Sequence, residues 1–205
     1  MIKQWLAFDV GTTGTKAAIL DGNGHALNNS SRTYAPHAAA GGVVEQDIAD
    51  WWQAVIAAAR DLDCSDVEAI ALTGQMQDLI LLDAAKDPVR PAILYNDTRA
   101  GEEINEIRAQ LGDETLRSIT GNDQDASSLL AKLLWLQRHE PQSLEKSSHL
   151  LMGAADYIAL QLTGETASDD TTASTTGLLD IGERQAFAAD LGIPKLGEWM
   201  PKIVA

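Results

Sequence analysis

The stretch Trp5-Leu6-Ala7-Phe8-Asp9-Val10-Gly11-Thr12-Thr13-Gly14-Thr15-Lys16-Ala17-Ala18-Ile19-Leu20-Asp21 constrains this chain more than any other. It reads as an apolar strand ending in an aspartate, a turn of glycine and threonine, and a second β-prone run. Gly11 and Gly14 let backbone N–H groups approach an anion, and successive N–H groups in a turn form an anion-binding nest. The hydroxyls of Thr12, Thr13 and Thr15 add donors. Lys16 adds a positive charge if strand alternation turns it toward the site, and is a solvated lysine if not. A carboxylate at a strand end, here Asp9, can hold a hydrated Mg²⁺ that in turn holds phosphate oxygens. The segment suits the phosphates of a metal–nucleotide; an ordinary glycine-rich hairpin is the alternative.

Two familiar phosphate motifs are excluded. A Walker loop needs G-x-x-x-x-G-K-[ST], and a dinucleotide fold needs G-x-G-x-x-G opening a helix. Here the two glycines are three apart and the chain runs on into another strand. Asp21-Gly22-Asn23-Gly24 then supplies a strong hairpin turn. The pattern predicts a meander over about 3–10, 15–21 and 25–33, the opening of the ribonuclease H-like, actin-like ATPase fold. Residues 47–59 carry Ile48, Trp51, Trp52, Val55, Ile56 and Ala59 at helical spacing behind a capping Asp47. The tryptophan pair reads as helix core rather than a ligand platform.

Short apolar strands are expected at Val67–Thr73, Leu79–Leu82 and Ala92–Tyr95, then helices at about 98–111, 113–118 and 127–139. His149–Met152 reads as a strand and Ala154–Leu162 as a helix closed by Gly164. The Thr/Ser/Asp-rich run 166–177 reads as an ordered loop before a strand at Gly177–Asp180, and the last 25 residues as two short helices around Pro194. This is one α/β domain with a mixed central sheet flanked by helices.

Bulk numbers narrow the partners. The 30 acidic and 15 basic residues give a formal net charge of −15, which argues against nucleic acid and anionic membrane surfaces. The single cysteine, Cys64, excludes an internal disulfide and suits a reducing cytoplasm. No signal-peptide core and no run of about 18 apolar residues is present. His25, His37, His139 and His149 lack metal-site spacing.

With those residues in view, Asp9–Lys16 resembles the first phosphate motif of the FGGY carbohydrate kinases. Leu72–Asp83, with Thr73-Gly74-Gln75-Met76 inside it, resembles the sugar-contacting segment of the family's xylulokinase branch, usually S-G-Q-M-H-G before an apolar strand. Pro91–Arg99 resembles that branch's W-x-D-x-R segment. Asp156-Tyr157 with Leu162-Thr163-Gly164, then Ser168-Asp169 and Ala173-Ser174-Thr175, resemble two further family segments.

The resemblance implies ATP-dependent phosphorylation of a sugar hydroxyl, most naturally on a ketopentose such as xylulose, with ATP and Mg²⁺ as cofactors. It leaves a homodimer open. It places Asp9 at the metal and phosphate, the 11–16 turn at the phosphates, and Gln75, Met76, Gln77, Asp78, Tyr95, Asp97 and Arg99 at the sugar. Amides and carboxylates suit polyol hydroxyls because they donate and accept at fixed geometry. Gln77 and Asp78 stand where the branch has His-Gly, and Tyr95 where it has Trp. An added carboxylate at Asp78 is expected to disfavour an anionic substrate such as gluconate; turn capping is its alternative, and a structural pair that of Asp97 and Arg99. Helix capping or loop ordering equally explains Asp156 and Asp169.

In the family a G-G-D-N/Q-type segment carries the general base and a second domain holds the nucleotide. Nothing after Asp180 resembles that segment, so the 205 residues read as most of a first domain and as inactive alone. A kinase for another ketose or polyol, a non-catalytic sugar-binding remnant, a ROK-type kinase, an actin-like ATPase and a nuclease are the competing readings. The ROK pattern of G-G-T-K with zinc-type cysteines is absent, and the net charge opposes a nuclease groove.

Overall fold

The computed structural model describes residues 3–187, 192, 193 and 195–204. The opening meander forms as expected. Strand β1 (Gln4–Val10) pairs antiparallel with β2 (Gly14–Leu20), and β2 with β3 (Ala26–Thr33). Asp21 closes the second turn, its Oδ1 accepting from the N–H groups of Asn23 and His25. Alternation turns Leu6, Phe8, Val10, Ala17 and Ile19 into the core. Asp9 and Lys16, paired across β1 and β2, stand exposed on the opposite face.

Helix α1 (Ile48–Arg60) starts at Asp47, whose Oδ1 accepts from the Ala49 N–H at 2.9 Å. It buries Ile48, Trp51, Ala54, Val55 and Ala58, so the tryptophan is core, as the spacing predicts. Strand β6 (Val67–Gly74) then returns parallel to β1 and gives the order β3-β2-β1-β6.

The chain passes through Gln75 directly into a second sheet. Its order is β4 (His37–Ala39), β5 (Val43–Gln46), β8 (Ala92–Ile93), β7 (Met76–Leu82) and β9 (His149–Gly153). The apolar run of β7 is buried on both faces. Leu79 and Leu81 enter one core, with α2 (Gly101–Leu111), α3 (Asp113–Thr120) and α4 (Leu129–His139). Ile80 and Leu82 enter the other, with α1 and α6 (Ala154–Thr163), whose last turn ends on Gly164 at φ 78.

Several elements differ from expectation. The 92–95 strand is only two residues long, because β8 meets β5 and β7 just at Ala92 and Ile93. The 166–177 run is not a loop: it forms β10 (Ala167–Asp169) and α7 (Asp170–Ser174), capped by Asp169. Strand β10 exists because β13 (Lys202–Val204) pairs with it in parallel, some 35 residues later. Helix α5 (Pro141–Lys146) and the β4–β5 hairpin were not legible either. Strand β11 (Leu179–Asp180) pairs with β12 (Gln185–Ala186). Among the described residues of the tail one short helix is present, α8 (Leu196–Trp199); Pro194 lies outside them.

Candidate functional site

Parallel pairing of β1 with β6 brings together residues that lie 64 positions apart in sequence. Asp9 faces Thr73 and Val10 faces Gly74, and the Gln75 N–H donates to the Val10 carbonyl at 2.9 Å. The end of β1 therefore delivers the 11–14 turn beside Gln75–Asp78, and Thr12 Oγ1 donates to Gln75 Oε1 at 3.0 Å.

The turn is tightly held. Gly11 N–H donates to the Gly14 carbonyl at 3.0 Å, Tyr34 OH to the Gly11 carbonyl at 2.8 Å, and Tyr34 N–H to the Thr13 carbonyl at 3.2 Å. Gly14 is demanded by close approach: a Cβ there would lie 2.5 Å from the Arg32 carbonyl oxygen. Among the described residues the Thr12 and Thr13 N–H groups have no acceptor, so they are the turn's free donors. Two expected phosphate contacts are corrected. The Gly11 N–H is consumed in closing the turn, and the Thr15 side chain is fully buried, its hydroxyl 3.1 Å from Tyr34 OH.

Lys16 shares the face of Asp9. The ladder sets Ser31, Lys16, Asp9 and Thr73 side by side across the four strands, lining an open groove of about 450 Å³. Among the described residues the Asp9 carboxylate has no hydrogen-bond or ion-pair partner, and it is exposed.

At the segment expected to meet the sugar, Met76 is 40% exposed and Tyr95 41%. Gln77 has a φ of 64°, left-handed for a residue with a Cβ, and its Nε2 donates to the Thr175 carbonyl at 3.2 Å. The β7–β9 register shifts between Met76 and Ile80, an irregularity of the kind that re-aims side chains beside functional sites. Thr172 Oγ1 lies 4.0 Å from Met76 Sδ, so α7 forms part of the same wall.

Asp78 is placed differently from expectation. It is wholly buried, beneath the segment rather than lining it. Its Oδ1 accepts from the Tyr95 N–H at 3.0 Å, while Oδ2 has no partner among the described residues. Burial pushes its carboxyl up to about 8. Buried beneath the segment and held toward its neutral form, Asp78 presents no carboxylate to a substrate, so the argument against gluconate falls. Lys132 lies nearby, also fully buried, with Nζ donating to the Leu94 carbonyl at 2.7 Å and toward the Gln77 carbonyl at 3.5 Å. Burial pulls its ammonium down to about 8.

Asp97 and Arg99 form a structural clamp instead of a sugar contact. Asp97 is fully buried and accepts from the Val44 N–H and from Arg99. Arg99 also pairs with Glu45 at 2.7 Å and lies over the Trp135 ring at 4.9 Å. Burial opposes ionisation of Glu45, but Arg90 and Arg99 outweigh it and hold its carboxyl below the usual range. Asp156 accepts from the Met152 N–H at 3.0 Å and Asp169 from the Thr172 N–H at 2.8 Å, so both order backbone. Burial pushes Asp156 up to about 6.

Sequence reasoning missed Tyr34, Gln46, Lys132 and Thr175. A lysine inside Leu129-Leu130-Ala131-Lys132-Leu133-Leu134 was the one legible signal, since a cation in an apolar helix needs buried partners. The other three carry no local pattern.

Comparison with known proteins accords with this arrangement. Residues 4–205 match the model for the FGGY family of carbohydrate kinases, N-terminal domain. Xylulose kinase of Escherichia coli (strain K12) is 36% identical over 188 residues, 88% of this chain and 38% of that protein. A crystal structure of a xyloylose kinase from Brucella ovis superposes with a TM-score of 0.89 at 34% identity, over 98% of this chain and 43% of that one. Gluconate kinase from Lactobacillus acidophilus gives the same TM-score at 27% identity, over 100% and 42%. The chain thus spans well under half the length of these relatives. It belongs to the FGGY family of carbohydrate kinases and corresponds to their N-terminal domain.

Proposed function

We propose that this domain supplies the phosphate turn and the sugar-binding wall of a kinase that phosphorylates a neutral ketopentose, xylulose first, within a longer protein. The observation that carries the reading is the β1–β6 pairing, which sets the Asp9 and Thr12–Thr13 end against Gln75–Gln77. Phosphoryl transfer needs positioning and electrostatics more than covalent chemistry from the protein. The free Thr12 and Thr13 N–H groups are offered to phosphate oxygens, and Lys16 adds positive charge on the Asp9 face. ATP is the donor that a kinase family implies. Mg²⁺ keeps several waters and takes only one or two carboxylates, so a single free Asp9 suits it; when bound it would neutralise phosphate charge. Met76, Gln77 and Tyr95 meet the sugar. The homology to xylulose kinases supports the substrate; the buried Asp78, which presents no carboxylate to a substrate, leaves an aldonate as the rival.

The test is kcat/KM for D-xylulose, D-ribulose, a pentitol and gluconate, measured on the full-length protein that carries this domain. D-xylulose is expected to rank first; gluconate ranking first would replace the ketopentose reading. Asp9→Ala should nearly abolish turnover and leave calorimetric sugar affinity within about threefold, because Asp9 serves the phosphate end. Sugar affinity falling as far as turnover would put Asp9 at the wrong end of the site.

A further inference from the structure

We infer that Gln46 is a positioning residue that locks the phosphate turn and the sugar segment into one register, so that occupancy of one is transmitted to the other. The ligands' names rest on the reading above; the lock itself rests on geometry.

Gln46 is 2% exposed and is the last residue of β5, directly before the Asp47 cap of α1. Its backbone is thus held from both sides. Its side chain reaches three neighbours: Oε1 accepts from Trp51 Nε1 at 2.7 Å and from Gln75 Nε2 at 3.2 Å, and Nε2 donates to the Thr12 carbonyl at 3.2 Å. Gln75 Oε1 in turn accepts from Thr12 Oγ1 at 3.0 Å. The three side chains close a ring, with Thr12 entering it through both its hydroxyl and its carbonyl.

The direction of that ring is determined. An indole N–H can only donate, so Gln46 must present its oxygen to Trp51. Its amide nitrogen then faces Thr12. Gln75 must likewise turn its nitrogen to Gln46 and its oxygen to the Thr12 hydroxyl. One fully buried tryptophan proton therefore orients two amides and a hydroxyl, in a low-dielectric setting where hydrogen bonds reinforce one another. A sugar hydroxyl that draws on Gln75 shifts Thr12 and, with it, the free Thr12 and Thr13 N–H groups. By linkage, a phosphate on those groups shifts Gln75.

Hydrogen–deuterium exchange on the full-length protein tests this through two peptides, 9–16 and 75–82. Saturating D-xylulose without nucleotide should slow exchange in both. In Gln46→Met, which keeps the volume but none of the hydrogen bonds, protection of 75–82 should persist while that of 9–16 is lost. Gln46→Glu keeps both acceptor bonds but turns an oxygen against the Thr12 carbonyl, so protection of 9–16 should be lost there as well. In the same variants kcat should fall roughly 10- to 100-fold, the scale of a small misplacement of reacting groups, with either KM moving less than about threefold. Protection of 9–16 that survives in Gln46→Met overturns the lock. If D-xylulose protects neither peptide in the wild type, the ketopentose reading fails instead. Mg–ADP then decides the lock from the other end: protection of 75–82 lost in Gln46→Met supports it, and protection unaffected or never transmitted overturns it.

Discussion

Asp78 and Lys132 are fully buried titratable groups. Burial raises the Asp78 carboxyl from 3.8 to about 8, so the folded state holds a proton that the unfolded chain releases. Its stabilising contribution is complete below about pH 4 and is lost as pH rises toward 8. Asp156, raised to about 6 by burial, acts in the same sense over a lower window. Lys132 is lowered from 10.5 to about 8, so its contribution is present above pH 10.5 and is lost as pH falls through 8. Unfolding free energy should therefore decline between pH 6 and 8 and recover at higher pH. Urea titrations at pH 6, 7 and 8 measure the slope. Asp78→Asn retains an acceptor for the Tyr95 N–H and should flatten it; an unchanged slope would assign the titration elsewhere.

At the scale of elements, the Gly11–Gly14 turn depends on how closely β2 approaches β3. Gly14→Ala would set a Cβ 2.5 Å from the Arg32 carbonyl, and backbone cannot yield as a side-chain end can. The substitution should cost about 2 kcal/mol, the range of overpacking, measurable by urea titration. A loss under 0.5 kcal/mol would mean that the strands part easily. Helix α1 offers a simpler test. Asp47→Ala removes the 2.9 Å cap bond to Ala49 and should cost about 1 kcal/mol. Meander, α1 and the buried run of β7 were legible because each has a local pattern: alternation, 3.6-residue spacing, or an unbroken apolar stretch. Strand β10 was not, because its partner β13 is remote and three residues carry no periodicity of their own.

On the scale of the whole molecule, the described residues hold two cores divided by β7. The relatives in which the fold is seen are more than twice as long. The 205 residues by themselves are expected to give no measurable ATP-dependent phosphorylation of D-xylulose. The expectation rests on the general base, whose loss alone costs roughly 10²–10⁴-fold, and on the family resemblance, which places that base in a segment these residues are not expected to include. A coupled ADP-release assay on the purified chain checks this; turnover at the rate of the full-length protein would mean that the chemistry resides within these residues.

Local pattern determined the Gly11–Gly14 turn, the meander, α1 and the family, since backbone hydrogen bonding and amphipathic spacing act over a few residues and the motif residues are contiguous. Tertiary structure alone decided which motif residues stay open and which are buried. Asp78, Asp97, Arg99 and Thr15 have the right chemistry for a site, but packing turns them inward, where burial and fixed partners claim their polar atoms. Gln46 has no motif to mark it. It reaches the site only because β5 and α1 present it between Thr12 and Gln75, a proximity that long-range pairing creates and that no short stretch of sequence encodes.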